Sequence, residues 1–129
     1  MIFNNEDLGE PIVKALNIVR KNSFDKYIKI EKDDKSIAFY FKDKDFNPQN
    51  LEKNSKINLI EYVHWDVTLK TKETYYLFDL TKEKVFLTRL DDNLYNIEVN
   101  IENPDMIYSP SGEAFNNIKI NVDFPFIYE

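Results

Sequence analysis

Cysteine is absent from this chain of 129 residues. That excludes a disulfide framework, thiolate chemistry and any cysteine-held metal. Histidine occurs once, as His64, so an ordinary structural zinc site is excluded as well. The two glycines, Gly9 and Gly112, form neither a phosphate-cradling loop nor a dinucleotide-binding pattern, and there is no HExxH sequence. Scarce glycine also argues against a small closed barrel, which uses glycine at its bends. No apolar run approaches the ~20 residues that cross a bilayer. The first residues, Met-Ile-Phe-Asn-Asn-Glu-Asp, lack the apolar centre of a secretory signal. The expectation is a single cytoplasmic domain over residues 1–129, with no membrane partner, cofactor or metal.

What is present supports a packed core. Hydrophobic residues make up 43% of the chain and aromatics 15%, which suffices to bury a real interior. A charged fraction of 31% does not read as disorder. The charge is uneven. Residues 1–89 hold 15 acids and 16 bases, whereas residues 90–129 hold eight acids and one base, Lys119, a balance of −7. Such a surface is a poor match for nucleic acid and a better one for a cationic protein. Plain solubility is the ordinary alternative.

The centre of the chain reads as a four-strand antiparallel meander over residues 57–101. The odd positions from Ile57 are Ile57, Leu59, Glu61, Val63, Trp65, Val67 and Leu69, apolar at every one but Glu61. Tyr76, Phe78 and Leu80 follow, then Val85 and Leu87, then Tyr95, Ile97, Val99 and Ile101. A turn pairing Lys70 with Glu73 sets Trp65 opposite Phe78 and Val67 opposite Tyr76. A hairpin pairing Thr81 with Lys84 sets Phe78 opposite Leu87. A three-residue loop, Asp91-Asp92-Asn93 with Asn93 left-handed, sets Leu87 opposite Ile97 and Val85 opposite Val99. Together these registers keep Trp65, Phe78, Leu87 and Ile97 in one dry layer.

Around the meander, Gly9-Glu10-Pro11 looks like a helix start, and Ile12, Val13, Leu16 and Val19 give an amphipathic helix to about Lys21. Tyr27–Glu31 and Ser36–Lys42 form a hairpin with Glu31 opposite Ser36. Residues 43–56 read as a loop with a short helical turn at Pro48 to Lys53. Residues 102–116 form a long structureless connection. Ile118, Ile120, Val122, Phe124 and Phe126 alternate as a final strand that returns across the sheet. The fold class expected is α+β and mainly β: an N-terminal helix packed on a strongly twisted antiparallel sheet of about seven strands, closing as barrel, sandwich or open sheet.

Two sets of residues are candidates for function. Asp91, Asp92, Glu102, Asp105, Tyr108 and Glu113 would form an acidic surface for a cationic protein. Tyr62, His64, Asp66 and Asp79 would form a polar cluster, with His64 opposite Asp79. A His–Asp pair can orient a general base, but no nucleophile motif surrounds Ser109 or Ser111, and such pairs are common in structural networks. The chain is therefore read as a non-enzymatic protein-binding module, of the inhibitor or immunity type. The alternatives are a small-ligand carrier with a pocket of Tyr62, Tyr75 and Tyr108, and a small enzyme using His64 with Asp66 or Asp79.

Overall fold

The structure, a computed structural model, describes residues 1–17, 26–42, 47–110, 112, 114–125 and 127–128. Its strands are β1 (Ile2–Phe3), β2 (Glu6–Asp7), β3 (Ile12–Asn17), β4 (Lys26–Lys32), β5 (Lys35–Tyr40), β6 (Lys56–Asn58), β7 (Asp66–Thr71), β8 (Thr74–Asp79), β9 (Lys84–Asp91), β10 (Leu94–Glu102), β11 (Asp105–Tyr108), β12 (Asn117–Phe124) and β13 (Ile127–Tyr128). Single 3-10 turns at Pro48–Asn50 and Leu59–Glu61 are the helical elements among the described residues.

These strands form two sheets. The smaller runs β2-β1-β12-β10-β9-β6, and the larger runs β11-β8-β7-β5-β4-β3-β13. All pairings are antiparallel except that of β13 with β3. Period-two alternation explains why the sheets stack. In β12, Ile118, Ile120, Val122 and Phe124 are buried while Lys119, Asn121 and Asp123 are exposed. The inward residues of both sheets merge into one apolar cluster, so the fold is a β-sandwich. Phe115 joins the two layers: its ring lies 5.3 Å from Phe3 of β1 and 5.0 Å, edge-on at 85°, from Tyr76 of β8.

The expected N-terminal helix is corrected. Ile12–Asn17 is strand β3, paired along its whole length with β4. Val13 and Ala15 face inward opposite Ile30 and Ile28, while Ile12 is 65% exposed. The three- and four-residue spacing of Ile12, Val13 and Leu16 suits a helix stripe as well as a strand. β-branched residues beside a free strand edge made the sheet the better partner. The rest of that expected helix, Val19 to Lys21, lies outside the described residues.

The single meander is corrected too. Strands β7 and β8 belong to the larger sheet, β9 and β10 to the smaller. Residues Leu80 to Glu83 carry the chain from one sheet to the other, closed by Glu83 N–H donating to Leu80 O at 2.9 Å. Leu80 and Val85 both stay fully buried through this passage. A hairpin within one sheet and an arch between two sheets therefore leave the same alternating pattern. The first run of the meander is broken: Ile57 lies in β6, Leu59–Glu61 is a 3-10 turn, and β7 begins only at Asp66. Between the bridge at Val63 and β7, His64 and Trp65 both face out, and Trp65 is 53% exposed. Trp65 is thus not part of the dry layer.

Registers fared differently from sheet assignments. In β7–β8, Lys70 faces Tyr75 and Thr71 faces Thr74, two residues from the expectation. A shift of two preserves faces, so Val67, Leu69, Tyr76 and Phe78 remain inward. In β9–β10, Leu87 does face Ile97 and Val85 does face Val99. That turn is tighter than expected: Leu94 already faces Asp91, a bulge follows before Tyr95, and Asn93 is not among the left-handed residues. Glu31 faces Ser36 in β4–β5 as expected. The 102–116 connection contains β11, an edge strand with a bulge of its own between Pro104 and Pro110. Strand β12, expected to return across the sheet, lies beside β10 and extends that sheet instead; β13 follows it, and Phe126 lies outside the described residues.

Truncating Phe115, which is 4% exposed between the layers, should destabilise the fold by about 3–5 kcal/mol in urea unfolding. Trp65→Phe should change stability by less than about 0.5 kcal/mol. Tryptophan emission in the native protein should be readily quenched by acrylamide; a shielded, blue-shifted signal would contradict the outward placement of Trp65.

Candidate functional site on the outer face of the larger sheet

The outward positions of the larger sheet can be read row by row from its registers. One row carries Asp105, Asp79 and Asp66, opposite one another across β11, β8 and β7. The next carries Tyr108, Leu77, Thr68, Ala38, Lys29 and Lys14. The third carries Tyr75, Lys70, Ser36, Glu31 and Ile12. Tyr27 and Tyr40 also meet on this face, with ring centroids 5.8 Å apart.

Two strands here break the alternation expected of a half-solvated sheet. Strand β8 contains Tyr75-Tyr76-Leu77-Phe78, and β5 contains Ile37-Ala38-Phe39-Tyr40. Both are apolar on both faces, the pattern of strands covered on both sides. The outer face of the smaller sheet is unlike this. Asn96 donates to Asn121 at 2.7 Å and to Asp123 at 2.9 Å, and Lys56 covers the Phe86 ring at 4.4 Å. That face is self-satisfied and polar.

Charge on the larger sheet is divided by row. Lys14 and Lys29 lie 3.1 and 3.0 Å from Glu31, and Lys70 sits over the Tyr75 ring at 5.2 Å. The Lys29 hydrogen bond, then that of Lys14, holds Glu31 below the usual carboxylate range; the same contact raises Lys29. The three aspartates form the row next to that of Lys14 and Lys29, on strands β7, β8 and β11. Asp79 accepts the Thr81 N–H at 2.7 Å, which lowers its pKa and fixes the start of the passage between sheets. Asp105 has a lysine neighbour, Lys82 at 3.5 Å. Directly opposed like charges cost stability, so this row is not what folding alone would select. Beside Asp66, Tyr40, Lys42, His64 and Thr68 line an open hollow of about 550 Å³.

The residues named from sequence are thereby regrouped. Asp79 faces Asp66 and not His64, because β7 starts at Asp66 and its register is shifted. His64 and Asp66 do share the open hollow. Tyr62 packs against the core while Tyr75 and Tyr108 are outside, so those three tyrosines do not converge. Asp105 and Tyr108 reach the outer face. Glu102 shares a shallow hollow with Lys82, Glu83, Lys84 and Asp105. Asp91 and Asp92 are at the far end of β9, each 3.3 Å from Lys53. The Asp92 N–H and then Lys53 hold Asp91 below its ordinary value. Glu113 lies outside the described residues. Charge excess along the last third of the sequence is therefore not one acidic surface: Lys53, Lys56 and Lys82, from earlier in the chain, sit beside Asp91, Asp92, Glu98 and Asp105.

Missed from sequence were Tyr40, Leu77 and the lysines of the other rows. The signal was there in the continuous apolar runs of β5 and β8, which strict alternation cannot explain. Among the described residues, no group of three or more histidine, aspartate or glutamate side chains could hold a metal ion. No described helix is long and apolar enough to cross a membrane. No family model, curated protein or solved structure matches the chain.

The pH dependence of stability follows from these groups. Glu31, Asp34, Asp79 and Asp91 all have lowered pKa values, so they stabilise the fold fully above their ordinary values of 4.5 for glutamate and 3.8 for aspartate. That contribution is lost as pH falls below those values. Glu83 acts oppositely: burial first, then Asp105 and Glu102, raise its pKa. Folding therefore favours its neutral form, and its penalty is relieved as pH falls from neutral through the raised value. Urea midpoints should rise slightly on mild acidification and then fall below about pH 4. Glu83→Gln should remove the rise and keep the fall; an unchanged profile would refute the assignment.

Proposed function

We propose that this protein is a protein-binding module, of the inhibitor or immunity type, that engages a cationic partner through the outer face of its larger sheet. One observation carries the reading: strands apolar on both faces, bordered by the Asp66–Asp79–Asp105 row. An apolar centre with a charged border is how protein interfaces are built. Tyrosines suit such surfaces, since a large ring is placed at small entropic cost. The carboxylates would speed encounter with a cationic surface more than they would tighten the complex.

The test separates the two ingredients. Asp66→Lys/Asp105→Lys should lower the association rate with proteins captured from host lysate by about tenfold at low salt, and salt should erase the difference. Tyr75→Ala/Leu77→Ala should act on dissociation instead. The proteins lost by both variants should be basic. Capture of the same proteins by all forms, or no bias toward basic ones, would overturn the proposal.

A further inference from the structure

The open hollow beside Asp66 exists because two strands fall out of step. Ala38 of β5 is opposite Thr68 of β7. Further on, Phe41 bridges Val63, the His64 N–H donates to Tyr40 O at 2.9 Å, and the Lys42 N–H donates to Tyr62 O at 3.0 Å. Tyr40 is therefore opposite His64. From Ala38 to Tyr40 the chain advances two residues, whereas from Thr68 to His64 it takes four. Extra residues in one strand break the ladder locally and re-aim its side chains. Here they leave Tyr40, Lys42, His64, Asp66 and Thr68 around a space of about 550 Å³, with the buried Phe41 among its walls. That volume is in the range of small-molecule sites, roughly 300–1,000 Å³.

Charge in this space is present but unmatched. Lys42 and Asp66 both line it, yet among the described residues neither makes an ion pair, with the other or with a third group, and the His64 ring hydrogen-bonds to nothing. Asp66 instead stands opposite Asp79, a like charge that a cation placed beside it would offset. These groups select a ligand by sign. A phosphate dianion suits Lys42 and His64 but is repelled by Asp66. A simple amine suits Asp66 but is repelled by Lys42. A neutral sugar would cover both charges and neutralise neither. A ligand carrying one positive and one negative group satisfies them all. Lys42 lies beyond the Tyr40–His64 pair and Asp66 before it, so the two ends of the hollow differ in sign. The ammonium and carboxylate of an α-amino acid sit about 3 Å apart, and a hydrogen bond of ~2.9 Å at each end extends the span to about 9 Å. Two to four residues of strand cover about 7–13 Å, which brackets that span. The Tyr40 ring, 45% exposed and set against Tyr27, offers an apolar side chain a surface to lie on.

We propose that this hollow binds a free α-amino acid with an apolar side chain. Its carboxylate accepts from Lys42 and His64, its ammonium donates to Asp66 beside the Thr68 hydroxyl, and its side chain lies against Tyr40. The site is independent of the partner reading, since Asp79 and Asp105 are not among the residues of the hollow. An open site with few contacts binds in roughly the millimolar range.

Proton NMR of the whole chain, titrated with L-phenylalanine and with no protein partner present, tests this. His64 is the only histidine, so its ring C–H signals report on the hollow directly. They should shift and saturate. Two analogues each remove one charge: 3-phenylpropanoate lacks the ammonium, and 2-phenylethylamine lacks the carboxylate. Each should bind at least about tenfold more weakly than L-phenylalanine, as the loss of a charged hydrogen bond requires. Asp66→Asn should weaken L-phenylalanine about tenfold and leave 3-phenylpropanoate unweakened, because the charge it removes has no partner on that analogue. Lys42→Met should do the same for L-phenylalanine and leave 2-phenylethylamine unweakened. Both side chains are unpaired, so urea midpoints of the two variants should stay within about 0.5 kcal/mol of wild type; the analogue series needs no variant at all. Absence of a saturable His64 shift by ~50 mM L-phenylalanine, well above the millimolar range, would overturn the site. So would either analogue binding as tightly as the amino acid, or Asp66→Asn binding it at full strength.

Discussion

The apolar layer between the two sheets is the constraint on which everything else rests. Isoleucine, valine, leucine and the large aromatics fill it from both sides, and Phe115 spans it between Phe3 and Tyr76. The chain changes sheet repeatedly, from β5 to β6, from β6 to β7, from β8 to β9 and on through β13. Such a path is tolerable where a passage keeps inward residues inward. Leu80 and Val85, buried on either side of one passage, show how little the side-chain pattern has to change.

That economy also explains what the sequence could and could not reveal. Local pairings were legible where a hairpin was short and one face strongly apolar: Glu31 with Ser36, Leu87 with Ile97, and the alternation of β12. Sheet membership was not, since an inward leucine looks the same whichever layer it belongs to. The β3 segment misled because Ile12, Val13 and Leu16 suit a helix stripe as well as a strand, and only the neighbouring β4 decides between them. Trp65 misled because the break between Val63 and Asp66 leaves no mark on composition. At the candidate site, Asp66, Asp79, Asp105 and Tyr108 were each visible as interesting residues. Their grouping was not, because it depends on three strands, β7, β8 and β11, being neighbours.

Charge carries a related lesson. The acidic last third of the sequence suggested one acidic surface. In the fold, Lys53 reaches Asp91 and Asp92, Lys56 reaches Glu98, and Lys82 reaches Asp105. Like charges gather elsewhere, across the Asp66–Asp79–Asp105 row of the larger sheet, where a count along the sequence does not reveal them. Charge balance over a stretch of chain describes a surface only when the stretch occupies that surface alone.

The rims of both sheets limit how this molecule can meet others. The four outermost strands, β2, β6, β11 and β13, hold two, three, four and two residues. The longest of them, β11, is bulged and bracketed by Pro104 and Pro110. Strands so brief and interrupted make poor templates for adding another backbone, which is how fibrils grow. Recognition is thereby pushed off the hydrogen-bonding rims and onto side chains, where a single substitution can tell one visitor from another.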